Sequence, residues 1–270
     1  MAINGNIKFP GDKSISHRAL MFAALANGQS RISNLSTGAD VQSTRQCLEA
    51  CGIQIENDGD DVIVTGGQFS DPTKPLNCGN SGTTTRLLMG LLAGQGINAT
   101  LIGDESLSSR PMNRILDPLS QMGLQSESND GKLPVTIHKS ELNGIHYKSP
   151  VASAQVKSAI LLAGLGANDQ TTVTEPILSR DHTEKMLTGI GANLNSNGLS
   201  SIISPLSFSL SNFNMIVPGD PSTAAFFAAA AAVVPDSDIT MNGILRNPTR
   251  TGFYITLQKM GAEMDCLATW

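Results

Sequence analysis

Apolar and polar positions in this chain follow two periods, one helical and one strand-like, and the pattern returns about every seventy residues. Its clearest marker is Leu-x-x-x-Gly, at Leu48/Gly52, Leu119/Gly123, Leu187/Gly191 and Leu257/Gly261. The glycines step by 71 (52 to 123), 68 (123 to 191) and 70 (191 to 261) residues. Each marker closes an amphipathic stretch, and its glycine stands where a left-handed helix cap belongs.

A second marker runs in phase with the first. Ser14, Ser81, Ser153 and Ser222 each open a run of small apolar residues, which predicts four helix N-termini there. Short strand patterns lie between the helices of each copy, at Arg31-Ile32-Ser33, Thr100-Leu101-Ile102, Thr172-Val173-Thr174 and Ile239-Thr240-Met241. After the first three marker glycines come Asp58-Gly59, Asp130-Gly131 and Asn197-Gly198, which predict hairpin turns. The unit reads βαβαββ, and a chain of such units belongs to the mixed α/β (α+β) class.

The fourth copy keeps both helices and ends nine residues after Gly261 (261 to 270) with no hairpin, so the expectation is a shortened final unit. Pro10-Gly11-Asp12 recurs as Pro218-Gly219-Asp220, 208 residues on (10 to 218), which is three repeat lengths. Two matched hinges predict one complete three-unit domain, 11–218, inserted into an incomplete second domain made of 1–10 and 219–270.

Composition narrows the picture. Only 4% of residues are aromatic while 26 are glycine, which predicts a core of small side chains with closely packed helices. A net charge of −5 gives no electrostatic pull towards nucleic acid or an anionic membrane. The longest apolar run, 224–234, is too short to span a bilayer and Pro235 ends it. The first thirteen residues have no apolar core of the signal-peptide kind, so a cytoplasmic location is expected. Four cysteines form no CxxC pair and four histidines no HxxxH pair, which predicts reduced thiols and no metal. Cys47 and Cys51, one helical turn apart, read as packing residues.

Charge is placed unevenly. A cation lies early in three of the apolar helices, at Arg18, Arg86 and Lys157, where it opposes a helix dipole worth about 0.3–1 kcal/mol. Arg110, Arg180 and Arg246 stand before the second helices. With Lys13, Arg114 and Arg250 these are nine of the 18 basic residues, gathered at one kind of loop in an acidic protein. A small, multiply anionic ligand is the natural guest. Asn80-Ser81-Gly82-Thr83 has the form of a phosphate-cradling turn, without the lysine of a nucleotide-binding loop. His17 and His182 fall in this cationic region and are candidates for ligand contact, whereas His138 and His146 read as structural.

Five segments carry a resemblance. They are 10–20 (PGDKSISHRAL), 79–86 (GNSGTTTR), 109–112 (SRPM), 152–158 (ASAQVKS) and 179–184 (SRDHTE). In order and spacing they resemble the signatures of the EPSP synthase family, across the whole chain. The resemblance implies an inside-out barrel-like arrangement of βαβαββ units in two domains, one inserted in the other. It also implies transfer of the enolpyruvyl group of phosphoenolpyruvate to shikimate 3-phosphate, a step toward chorismate and the aromatic amino acids, with no metal or organic cofactor.

By the same resemblance Lys13 would touch both substrates and assist proton transfer. Ser14, Arg18, Ser153, Ala154, Gln155 and Arg180 would bind shikimate 3-phosphate. Gly82, Arg110 and Gln155 would bind phosphoenolpyruvate. Many members carry serine where this chain has Ala154, so contact there falls to the backbone. The family's acid–base Asp and Glu match no position here, and a C-terminal segment carrying them would be a partner of this chain. Glyphosate would compete with phosphoenolpyruvate. Two alternatives stay open: an anion-binding fragment that does no chemistry, and the sister transferase acting on UDP-N-acetylglucosamine. The sister enzymes carry Lys-Asn where this chain has Lys13-Ser14.

Overall fold

A computed structural model describes residues 1–265. Cys266 lies outside them. A first strand, β1 (Asn4–Lys8), is followed by α1 (Lys13–Leu25), β2 (Ala26–Ser33), α2 (Ala39–Ala50), β3 (Gln54–Asp58) and β4 (Asp61–Gly66). The next unit holds β5 (Leu76–Asn77), α3 (Gly82–Gly94), β6 (Ala99–Ile102), a short α4 (Glu105–Ser108), α5 (Asn113–Gln121), β7 (Gln125–Asn129) and β8 (Lys132–His138). The third holds β9 (His146–Lys148), α6 (Ala154–Gly164), β10 (Thr171–Thr174), α7 (His182–Gly189), β11 (Leu194–Asn197) and β12 (Ser200–Ile203). Two short strands, β13 (Leu210–Ser211) and β14 (Asn214–Ile216), precede α8 (Pro221–Val233), β15 (Asp238–Asn242) and α9 (Gly252–Lys259).

Every marker glycine is left-handed: φ is 90° at Gly52, 103° at Gly123 and 99° at both Gly191 and Gly261. Only glycine enters that region without strain, so the repeat period is written by four helix stops. The three hairpins turn where the dipeptides predicted, between β3 and β4, β7 and β8, and β11 and β12.

The sheets repeat one arrangement. A parallel pair joined through an apolar helix is extended by an antiparallel hairpin: β5-β6-β8-β7 and β9-β10-β12-β11. The first unit departs from its predicted order. Its opening strand is β14, from 183 residues further along (31 to 214), which pairs in parallel with β2 at Asn214↔Arg31 and Ile216↔Ser33. The N-terminal β1 pairs instead with β15, from Asn4↔Asp238 to Lys8↔Asn242. The chain crosses over at its two Pro-Gly-Asp segments. There Asp12 N–H donates to the Pro218 carbonyl (2.7 Å) and Asp220 N–H to the Pro10 carbonyl (3.1 Å).

Helices α1, α3 and α6 form the interior, with Ile15 to Leu25 of α1 all buried. Small residues let them touch backbone to backbone: a Cβ on Gly90 of α3 would fall 2.1 Å from the Ala159 carbonyl oxygen of α6. This is the close packing that the low aromatic content predicted. Helix α8 is different. It buries only Pro221, Ala224 and Ala228, while Phe226 and Val233 are more than three-quarters exposed.

Candidate active site

Three helices of one kind aim their N-termini at one region, and their caps explain the spacing of the serines. Ser81 Oγ accepts from Thr84 N–H (3.1 Å) and Ser153 Oγ from Val156 N–H (3.4 Å), as expected. In the other two helices the cap is the aspartate of Pro-Gly-Asp. Asp12 accepts from Ile15 N–H (2.8 Å) and Asp220 from Ser222 N–H (2.7 Å). Ser14 and Ser222 therefore lie inside their helices, correcting the predicted starts. The shift leaves the Ser14 hydroxyl free for other work: it accepts from Arg18 Nη1 (2.9 Å) and lies 3.2 Å from His182 Nδ1.

Hydrogen bonds tie the three helix starts together. Arg86 Nη1 donates to Gln155 Oε1 (2.8 Å), and Gln155 Nε2 to Thr83 Oγ1 (3.0 Å), linking α3 to α6. Arg18 is buried beneath, donating from Nε to Thr183 Oγ1 and from Nη2 to Ser158 Oγ, both at 2.8 Å. Burial, then the charge of Arg180, lowers its pKa to about 10, so it stays charged at neutral pH. Arg110 Nη2 is held by Asn80 Oδ1 (2.6 Å) and Ser106 Oγ (3.1 Å).

Gly82 sits between these cations. A Cβ there would stand 3.0 Å from Arg86 Nη1 and 3.6 Å from Arg110 Nη1. Arg86 has its pKa pushed down by burial, then by Arg110 and Arg114. Cations drawn this close together are what an anion site requires. Next to it opens a cleft of about 730 Å³, lined by residues 152–155, by Leu178, Ser179 and Arg180, and across from them by Pro248 and Thr249. Ser153, Ala154, Gln155 and Arg180, named from sequence, all lie on its wall.

A family model described as EPSP synthase (3-phosphoshikimate 1-carboxyvinyltransferase) matches residues 1–270. The chain belongs to the EPSP synthase family. A 3-phosphoshikimate 1-carboxyvinyltransferase of Vesicomyosocius okutanii is 51% identical over 97% of this chain and 61% of its own length. One of Bacillus velezensis is 47% identical over 98% of this chain and 63% of its own. The structure of an EPSP synthase from Acinetobacter baumannii superposes with a TM-score of 0.90 at 42% identity, covering 97% of this chain and 60% of that one. The chain thus spans about three fifths of the length of the curated relatives it matches.

Within this EPSP synthase fold, sequence reasoning misplaced two charges, Lys157 and Arg250. Lys157 was grouped with the anion-binding cations, but it turns into the core, 2.7 Å from both Glu175 Oε2 and Glu184 Oε1. Arg250 is taken by Asp12 (2.9 Å) and Asp220 (3.4 Å). Lys13 faces solvent and pairs with Asp40 at 2.9 Å. The two histidines expected at the ligand are buried supports. His17 Nδ1 lies 2.6 Å from Thr44 Oγ1, and burial and then Arg18 lower its pKa to about 3. His182 is lowered to about 3 by burial, then by Arg18, Arg250 and Arg180. His138, read as structural, lies 3.1 Å from Glu127 on an exposed face. Cys47, Cys51 and Cys78 are free and buried. Among the described residues no cluster of His, Cys, Asp or Glu could hold a metal, and no helix is long and apolar enough to cross a membrane.

Glu175 escaped notice because it belongs to no motif of recognisable spacing, and Glu184, although it closes the segment 179–184, was given no role there. One signal pointed to them. Lys157 sits within the apolar run Ala154–Gly164, and a lysine buried there demands a carboxylate.

Proposed function

We propose that this chain supplies the shikimate 3-phosphate site and part of the phosphoenolpyruvate site of a 3-phosphoshikimate 1-carboxyvinyltransferase. The observation that carries the reading is the cleft lined by Ser153, Ala154, Gln155 and Arg180, tied to the cations around Gly82 through the Arg86–Gln155 hydrogen bond. Two phosphorylated carboxylates need several positive groups at two neighbouring points, and the cleft and the Gly82 turn offer them.

In this reading the phosphate of shikimate 3-phosphate lies between the Ser153 hydroxyl and Arg180, with the Ala154 amide beside it. Ser14 takes a ring hydroxyl. Arg18 acts from below, directing the Ser14 hydroxyl and adding its charge under the ring. Phosphoenolpyruvate lies against Gly82, its phosphate on Arg110 and its neighbour Gln155 braced by Arg86. Lys13, exposed at the start of α1, reaches over both ligands. The 5-hydroxyl gives its proton to a base as its oxygen bonds to C2 of phosphoenolpyruvate and C3 takes a proton. The tetrahedral adduct then loses a C3 proton as its C2–O bond to phosphate breaks, and inorganic phosphate leaves with negative charge these arginines stabilise. We also propose the division into 11–218 and a second domain of 1–10 with 219–270, supported by the exchange of β1 and β14 between sheets.

Calorimetry of the 270-residue chain with shikimate 3-phosphate, then phosphoenolpyruvate or glyphosate, tests the site. Binding of shikimate 3-phosphate, tightened by the second ligand, is expected. No binding of shikimate 3-phosphate, or equal binding of UDP-N-acetylglucosamine, overturns the reading.

A further inference from the structure

Beneath the cleft lies a buried cluster to which no ligand role has been given. Glu175, Lys157 and Glu184 are 2%, 2% and 5% exposed, and two carboxylates share one ammonium. Placing three ionisable groups in the interior is costly unless each is well held, and such a cluster is more often worth specificity than stability. The two carboxylates are held differently. Glu184 Oε1 meets Lys157 and, at 3.4 Å, the Ser201 hydroxyl, while its Oε2 has no hydrogen-bond partner, so no bond of Glu184 reaches Ser153 or Ser179 among the described residues.

Glu175 faces the cleft wall from behind. Its Oε1 accepts from the Ser153 backbone N–H (3.0 Å). Its Oε2 accepts from the Ser179 hydroxyl (2.9 Å) and backbone N–H (3.4 Å), and from Lys157 Nζ (2.7 Å). One carboxylate therefore joins the residue that caps α6 to the residue directly before Arg180. These are the two lips of the cleft, and they are 26 residues apart in sequence (153 to 179). Lys157 rises from the first turns of α6 and anchors that carboxylate, so its charge works on the cleft from inside.

We propose that Glu175, anchored by Lys157, is a positioning residue that sets the gap between Ser153 and Arg180 and so selects a phosphorylated ring over an unphosphorylated one. The proposal rests on the reading that these two groups hold the phosphate of shikimate 3-phosphate. A hydroxyl can be met by one lip alone, whereas a phosphate must be gripped by both. Charge-assisted contacts lose strength quickly when their geometry is loosened.

The charge count supplies a matched control. Glu175→Gln and Glu184→Gln each leave one carboxylate per ammonium, so both keep Lys157 paired, but only the first disturbs the lips. Calorimetry with shikimate 3-phosphate and with shikimate should show Glu175→Gln weakening the first by about tenfold or more, as expected for a displaced charge-assisted contact. Shikimate should change by less than about twofold, and Glu184→Gln should leave both ligands within that margin. Amide exchange should quicken at Ser153 and Ser179 in Glu175→Gln only. Ser179→Ala, a change at a half-buried residue that removes one of the bonds, should weaken shikimate 3-phosphate in the same direction and stands in if Glu175→Gln does not fold. Equal effects of Glu175→Gln and Glu184→Gln, equal losses for the two ligands, or unchanged affinity in Ser179→Ala overturn the proposal. A wild-type chain that binds no shikimate 3-phosphate, while Glu175→Gln still frees the two amides, overturns the functional reading and the selectivity with it, and leaves the staple as architecture.

Discussion

Asp12 Oδ2 and Arg250 Nη1 stand 2.9 Å apart, an ion pair closing 238 residues of sequence. Asp12 is fully buried and caps α1, while Arg250 also reaches Asp220, the equivalent cap of α8. One guanidinium thus serves both Pro-Gly-Asp crossings.

Arg250→Ala should therefore cost about 3 kcal/mol at pH 7, since it strands a buried carboxylate. Burial already raises the Asp12 pKa, against the pull of Arg250. A carboxyl whose folded pKa is raised loses stability as pH climbs from its ordinary 3.8 through the folded value. Without Arg250 that rise is larger, so the deficit should grow from pH 4.5 to pH 7 in urea unfolding. An equal deficit at both pH values would dismiss the pair.

Two glycines of α3 should answer the same substitution in opposite ways. At Gly90 a methyl meets the Ala159 backbone, and Gly90→Ala should cost about 3 kcal/mol or more in denaturant unfolding. At Gly82 it meets only the ends of flexible arginines, in helical backbone. Gly82→Ala should hold or slightly raise the melting temperature while weakening phosphoenolpyruvate and glyphosate by about tenfold. Unaltered affinity for both would remove Gly82 from the site.

Arg180 is exposed at the cleft, and its pKa is lowered by partial burial and then by Arg250. Its removal relieves that repulsion, so Arg180→Ala should leave the melting temperature unchanged or slightly higher. Calorimetry should show shikimate 3-phosphate weakened by about 1.5–3 kcal/mol, the loss of a charged phosphate contact. A large drop in melting temperature with intact affinity would contradict both halves.

His17 and His182 hold pKa values near 3 in the fold against 6.5 when free. Between those values the unfolded chain takes up protons that the fold refuses. Stability should fall as pH drops below about 6.5, by up to about 1.4 kcal/mol per pH unit for each histidine. Imidazole proton shifts give a direct reading. The His17 and His182 signals should stay constant from pH 8 to pH 5, and titration of either near 6.5 would refute the buried assignments.

How much was legible can be seen residue by residue. The marker glycines and the Asp-Gly and Asn-Gly turns act through their own φ preferences, so they could be read singly, and the strands around them followed. Ser81 and Ser153 cap their helices by contacts three residues away, within reach of pattern reasoning. Ser14 misled because Asp12, two residues earlier, is an equally good cap, and only the packed start of α1 selects between them.

The sequence by itself determined the repeat, the class of the fold, the crossing points at 10–12 and 218–220, and the concentration of cations at helix starts. Only the tertiary structure decided which of those cations stay at the cleft region and which are drawn inward. Arg180 lines the cleft and Arg110 stands beside Gly82, while Lys157 is drawn inward by Glu175 and Glu184, and Arg250 by Asp12 and Asp220. Likewise β1 and β14 each look like a local strand, yet each completes a sheet built about 200 residues away. Local preferences depend on a few neighbouring residues and survive translation into sequence. A charge or a strand edge is satisfied by whatever partner the fold carries to it, and that partner has no fixed address along the chain.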